Sequence, residues 1–235
     1  GYLLLPENAR ARSLSALVSF ATGVLLGVAF IYLLPHALDH ESGPGSNVVM
    51  MTVLFGIFVF FILEKGLIWR HAHHHGHNEV HNDRGAQSAG ALIVVGDTFH
   101  NFLDGVLLTA AFVTYIHVGI ATGIALIAHE IPQELGDFAI LINSGMSRFR
   151  AFMLNGVTSL AMVIGALLAW WEIQFVQAGL PYILAFTAAS FIYIAVADLI
   201  PALHRSIRLK DTIAQLTLIS AGILLIIGFQ RSHIV

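Results

Sequence analysis

The chain has 235 residues, of which 57% are hydrophobic and only 11% are Asp, Glu, Lys or Arg, and its mean hydropathy is +0.81. A soluble domain of this length needs far more charge to cover its surface, and a formal net charge of −3 gives no ground for a nucleic-acid partner. With no Cys, disulfides and thiolate metal ligands are excluded, so a metal site must be built from imidazole, carboxylate, amide, thioether or water.

The apolar residues fall in long runs that approach or exceed the roughly 20 residues a helix needs to cross the hydrocarbon layer. The opening, Gly1-Tyr2-Leu3-Leu4-Leu5-Pro6, is apolar with no basic flank and no initiator Met, and reads as the tail of a helix whose beginning is missing. Seven spans are then predicted, at 14–35, 48–69, 89–114, 116–143, 150–171, 180–203 and 212–230. The expected fold is an all-α polytopic transmembrane helical bundle, one domain over 1–235, with seven spans visible of eight and the first helix mostly missing. Between the second and third spans, 70–88 is a polar His-rich stretch holding His71, His73, His74, His75, His77 and His81. It is predicted to be a disordered loop whose clustered imidazoles capture or sense metal.

Basic residues set the orientation. Ten of the 11 Lys and Arg residues fall on one side of the predicted bundle, and only Arg231 on the other. By the positive-inside rule that side, with the His-rich loop, is cytoplasmic and the C-terminus is outside. The compact form and short loops point to a bacterial inner membrane. Trp69, Trp170 and Trp171 sit at span ends, as an aromatic belt predicts.

The third span carries Asp97, His100, Asn101 and Asp104, and the fourth carries His129, Glu130, Gln133, Glu134 and Asp137. A carboxylate near mid-bilayer costs about 2.5–3.5 kcal/mol by insertion scales, and neither span holds a Lys or Arg to balance it. A bound cation is the simplest counter-charge. His100 and Asp104 share a helical stripe at i, i+4, as do His129 and Gln133, with Glu130 and Glu134 forming a second such pair. Two helices each offering nitrogen and oxygen donors can enclose a divalent ion. Pro132 removes the hydrogen bond to the Ala128 carbonyl and is expected to kink the fourth span.

Two segments also resemble a known family. His100-Asn101-Phe102-Leu103-Asp104-Gly105 and the run from His129-Glu130-Ile131-Pro132-Gln133-Glu134 to Leu141 resemble the paired signatures of the ZIP family of metal transporters, the second resembling its LIV-1 branch. Gly23–Pro35 and Phe186–His204 are similar to further helices of that family. The resemblance implies an eight-helix bundle with a binuclear site midway across the membrane. His100, Asp104, His129 and Gln133 would form the primary site, and Asn101, Asp104, Glu130 and Glu134 the neighbouring one. It implies Zn²⁺ as transported substrate, with Fe²⁺, Mn²⁺ or Cd²⁺ carried by some members, and no catalytic cofactor. The LIV-1 pattern commonly has His where Gln133 stands, and many relatives have Glu at Asp104, so metal preference does not carry over.

Several residues are read as pathway groups: Asp97 and Asp137 beside the clusters, His36, Asp39, His40 and Glu41 at the outer mouth, and Asp198 with His204 at the inner end of the seventh span. A helix cap is the rival role for His204. Asn155 and Ser159 either face the pathway or bond a neighbouring helix. The expected function is import of Zn²⁺, with the bilayer and a divalent ion as partners and small-residue helix faces that permit a homodimer. The rivals are a metal sensor and an intramembrane zinc hydrolase using Glu130 or Glu134 as base; the segment His129-Glu130-Ile131-Pro132-Gln133 lacks the second His of the metalloprotease motif.

Overall fold

The structure is a computed structural model describing residues 7–39, 44–73, 83–143, 145–204 and 208–231, all helices and short turns. Helix α1 runs from Glu7 to Val28, passes through a π-helical turn at Ala29–Leu33 and ends at Leu34–Leu38. It is followed by α2 (Ser46–His73), α3 (Asp83–Thr114), α4 (Ile116–Asn143) and α5 (Arg148–Trp171). A short α6 (Ile173–Ala178) leads into α7, which runs from Leu180 to Tyr193, through a π-helical turn at Ile194–Leu199, to Ile200–Leu203; α8 is Leu209–Arg231. The short connections make successive long helices antiparallel.

All seven predicted spans are helices, and their ends agree with the sequence reading to within a few residues except beside the His-rich stretch. There α2 continues to His73 and α3 begins at Asp83, so both flanks of the predicted 70–88 loop are helical. No Pro interrupts either flank, and outside the bilayer water can solvate polar side chains without unwinding the backbone. His71 and His73 lie on the last turn of α2; His74, His75, His77 and His81 lie outside the described residues. The second difference is α6, a turn and a half of helix where a plain connection was expected.

Five helical segments among the described residues are long and apolar enough to cross a membrane: Arg12–Leu38, Ser46–Leu63, Arg148–Trp171, Leu180–Leu203 and Leu209–Arg231. Helices α3 and α4, at 32 and 28 residues, have the length but carry the polar clusters. Their placement explains how they are tolerated: α3 packs on α5 and α4, and α4 also packs on α1. The most buried span is Arg12–Leu38, with 72% of its window inside the bundle, against 11% for Leu209–Arg231. The bundle therefore has α1 at its centre, while α8 lies on its rim against α1, and α2 against α7. The exposed faces are apolar, with Met51, Leu54 and Phe55 on α2 and Phe152, Leu160 and Leu167 on α5. Apolar outside and polar at the centre is the arrangement a hydrocarbon solvent requires, and the chain is an integral, multi-pass membrane protein.

Close helix approach is made at glycine. A Cβ on Gly105 of α3 would strike the Met162 carbonyl of α5, and one on Gly165 would strike the Phe102 carbonyl of α3. The Thr109 hydroxyl lies 3.3 Å from the Ala166 carbonyl across the same seam. Helices α1 and α8 meet in the same way, Gly23 against the Ile219 carbonyl and Gly222 against that of Phe20. Each π-helical turn lies just before a proline, Pro35 or Pro201. Pro35 cannot donate to the Ile31 carbonyl; the Gln230 side chain of α8 donates to it instead, at 3.4 Å.

These contacts predict opposite effects for two Gly→Ala changes. Gly105→Ala should destabilise the protein by about 1–3 kcal/mol, because backbone stands where the methyl would go. Gly156→Ala, with nothing within 4 Å of the added Cβ, should stabilise it by about 0.5–1 kcal/mol through lower chain entropy. Thermal unfolding in detergent measures both.

Candidate metal site

His100 and Asp104 project from the middle of α3 and His129 and Glu130 from the middle of α4. One ligand atom from each of the four lies within 4.8 Å of every other. His100 Nε2 is 3.5 Å from Asp104 Oδ2 and 3.7 Å from Glu130 Oε1; His129 Nε2 is 3.4 Å from each of the same oxygens. The two Nε2 atoms are 3.4 Å apart. Zinc bound to nitrogen and oxygen at about 2.0–2.1 Å in a tetrahedron separates its ligands by about 3.3–3.4 Å. Five of the six edges of this four-atom figure thus lie at or slightly above the length a tetrahedral ion sets.

The chemistry of the donors agrees with the distances. His129 Nδ1 is 3.0 Å from the Ala125 carbonyl one turn back, a bond that requires Nδ1 to carry the proton and turns the bare Nε2 into the cluster. Both carboxylate oxygens of Asp104 and Oε1 of Glu130 are buried with no hydrogen-bond donor. Asp104 and His129 are each only 1% exposed. Lone pairs facing one another at such distances in a dry interior repel unless something positive sits between them. A proton can serve one such pair, whereas a divalent ion serves all four donors.

The remaining residues from the sequence reading form the next rung toward the Asp83 end of α3 and the Asn143 end of α4. Gln133 Nε2 donates to Asp97 Oδ1 at 3.1 Å. Asn101 donates to the same oxygen at 3.0 Å and to the Asp97 carbonyl at 3.1 Å, and its own buried Oδ1 has no donor. Beyond them Glu134 is held by α5: the Ser159 hydroxyl lies 2.9 Å from its Oε1, and Asn155 donates to its carbonyl at 3.0 Å. Asp137 follows, half-buried. Helix α4 is continuous through the buried Pro132.

Toward the α3–α4 turn the character reverses. Val118, Ala121 and Ala125 of α4 are fully buried and belong with Leu25 and Val28 of α1 to apolar packing, with Thr122 buried beside them. Asp198 lies exposed in the π-helical turn of α7, and His204 closes that helix with its backbone N–H on the Ile200 carbonyl at 3.2 Å. His36 lies at the Leu38 end of α1 beside His117, a residue the sequence reading did not single out, and His40 and Glu41 lie outside the described residues.

A helical bundle with such a cluster between two mid-membrane helices belongs to the class of polytopic metal-handling membrane proteins. The family profile described as ZIP zinc transporter matches residues 1–91 and 70–230, and the chain belongs to the ZIP family. It is 31% identical to the Zinc transporter ZIP13 of Pongo abelii over 239 residues, which is 97% of this chain and 70% of that protein. It is 32% identical to Zinc transporter YKE4 of Saccharomyces cerevisiae, covering 86% of this chain and 65% of the relative. Zinc transporter ZIP10 of Danio rerio is 34% identical over 65% of this chain and 19% of its own length. ZIP10 and ZIP13 are members of the LIV-1 branch.

The geometry separates Glu130 from Gln133. Glu130→Ala should weaken Co²⁺ binding, read from its visible absorption, by about tenfold or more, while Gln133→Ala should act far less, through Asp97. Because imidazole and carboxylate must lose their protons to ligate, acidification should weaken binding in the parent protein.

Proposed function

We propose that this chain carries Zn²⁺ or a similar divalent ion across the membrane into the cytoplasm, with His100, Asp104, His129 and Glu130 as its mid-membrane ligands. The observation that carries the reading is the convergence of four donors at tetrahedral spacing, halfway along two membrane helices, with no Lys or Arg between Arg84 and Arg148. The printed names of the relatives, all zinc transporters, support the same substrate. Imidazole and carboxylate without thiolate hold zinc less tightly than a structural site does, as release requires.

The direction follows from the two faces of α4. Inward of the cluster, Gln133, Glu134 and Asp137 are half-exposed and offer oxygens at successive turns; outward, the same helix is sealed by small apolar residues. The conformation therefore corresponds to a carrier closed to the outer face and leading inward. Asp97, Asn101 and Gln133 form a second polar station next to the first, which supports a binuclear arrangement. Asp198 and His204 would lie near the exit. The distribution of Lys and Arg supports a cytoplasmic side bearing the His-rich stretch and an outer C-terminus. Short connections are the support for a bacterial inner membrane, and open glycine positions such as Gly156 leave room for a second copy of the chain.

Zn²⁺ entry into proteoliposomes holding an entrapped zinc dye tests the carrier. Flux should be present in the parent and fall at least about tenfold in folded Asp104→Ala and His129→Ala variants; a folded, metal-binding parent that moves no zinc would sink the reading. The chain has no Cys, so single-cysteine variants report access without background. Asp137→Cys should react with a polar maleimide added from the cytoplasmic side, whereas Thr122→Cys should resist reagent from both sides.

A further inference from the structure

A second pair of imidazoles comes together at a ring spacing like that of the first. At the outer end of the bundle His36, from the last turn of α1, faces His117, from the first turn of α4. Their ring centroids are 5.8 Å apart with planes inclined at 58°. The corresponding values for His100 and His129, whose Nε2 atoms converge, are 5.7 Å and 71°. The anchoring is shared as well. His36 Nδ1 is 2.7 Å from the Tyr32 carbonyl one turn back, as His129 Nδ1 is bonded to Ala125, which leaves Nε2 of His36 as the bare nitrogen.

The surroundings supply further donors. Tyr115 is stacked on His117 at 5.3 Å and lies edge-on to His36 at 5.6 Å. Asp39, one turn after His36, lines with it a shallow surface cavity of about 300 Å³. Behind both imidazoles stands Tyr32, its ring 6.2 Å from His36 and 6.1 Å from His117. Tyr32 is only 1% exposed and its hydroxyl has no hydrogen-bond partner.

We propose that His36 and His117 form a separate, outer binding site for a single divalent transition-metal ion, with water completing its shell. Two imidazoles and water suit zinc and its neighbours over Mg²⁺ or Ca²⁺. Twelve residues of α4 separate His117 from His129, about 18 Å along the helix, and the sealed apolar packing lies between them. The outer site would therefore load from solution while the mid-membrane site is closed to it, raising the local ion concentration at the mouth. Only the naming of this face as outer rests on the carrier reading.

The test uses the full chain in lipid nanodiscs, with Co²⁺ as probe and bound metal counted per chain by elemental analysis. His36→Ala/His117→Ala should lose about one Co²⁺ per chain. His36→Phe/His117→Phe, which keeps the ring packing and removes the nitrogens, should lose the same ion. Both losses should recur in an Asp104→Ala background, where the mid-membrane site is already disabled. An unchanged count, or an Ala loss that Phe restores, would show a packing cluster and overturn the site. Flux separates the two readings. An outer-site variant that raises KM for Zn²⁺ while sparing kcat supports the mouth role, whereas a parent that binds this ion yet moves no zinc overturns the carrier and leaves the outer site standing.

Discussion

Carboxylate oxygens and imidazole nitrogens face each other at 3.4–3.7 Å in the middle of an apolar bundle, with no cationic side chain from Arg84 to Arg148 to balance them. In a medium that cannot solvate charge, such a group of donors persists only with a positive charge at its centre. The helices around it can be understood as the shield this arrangement needs. Helix α4 is flanked by α1, α3 and α5, and α3 by α4 and α5, so both polar helices are kept from lipid on the faces that matter. The apolar burden is left to α2, α5 and α8, whose outward faces carry Met51, Phe152 and Leu224.

Rigid seams and weakened backbone are distributed unevenly. Glycines seat α3 against α5 and α1 against α8 with backbone touching backbone, which locks each pair in register. The π-helical turns lie instead on α1 and α7, each just ahead of a proline. A proline inside a membrane helix leaves a carbonyl without its usual donor, and in hydrocarbon that group must be satisfied by protein. Gln230 does so for Ile31, and Gln215 similarly donates to the Leu203 carbonyl at the opposite end of α8 at 3.1 Å. The rim helix thus places its two glutamines on carbonyls of its neighbours.

Two rungs of polar contact run between α3 and α4. The first holds His100, Asp104, His129 and Glu130; the second, one turn inward, holds Asp97, Asn101 and Gln133. A third group links Glu134 to Asn155 and Ser159 of α5. Such a descending series gives an ion leaving the first rung further oxygens at intervals of about one helical pitch, 5.4 Å, rather than a bare hydrocarbon gap.

The sequence by itself determined the membrane class, the seven helices and which two of them carry the chemistry, because hydrocarbon tolerates only long apolar helices and makes each intramembrane charge conspicuous. It also determined which donors share a helical face, since a 3.6-residue period sets azimuth within one helix. Tertiary structure alone decided the axial register between helices. Sliding α3 against α4 by one turn leaves every single-helix pattern unchanged, yet it decides which donors meet; here Glu130 stands with His100, Asp104 and His129, and Gln133 donates to Asp97. Nor does any pattern along the chain join His36 to His117, 81 positions apart by their numbers. Their approach depends on α1 and α4 lying side by side, a fact of packing that no local propensity encodes.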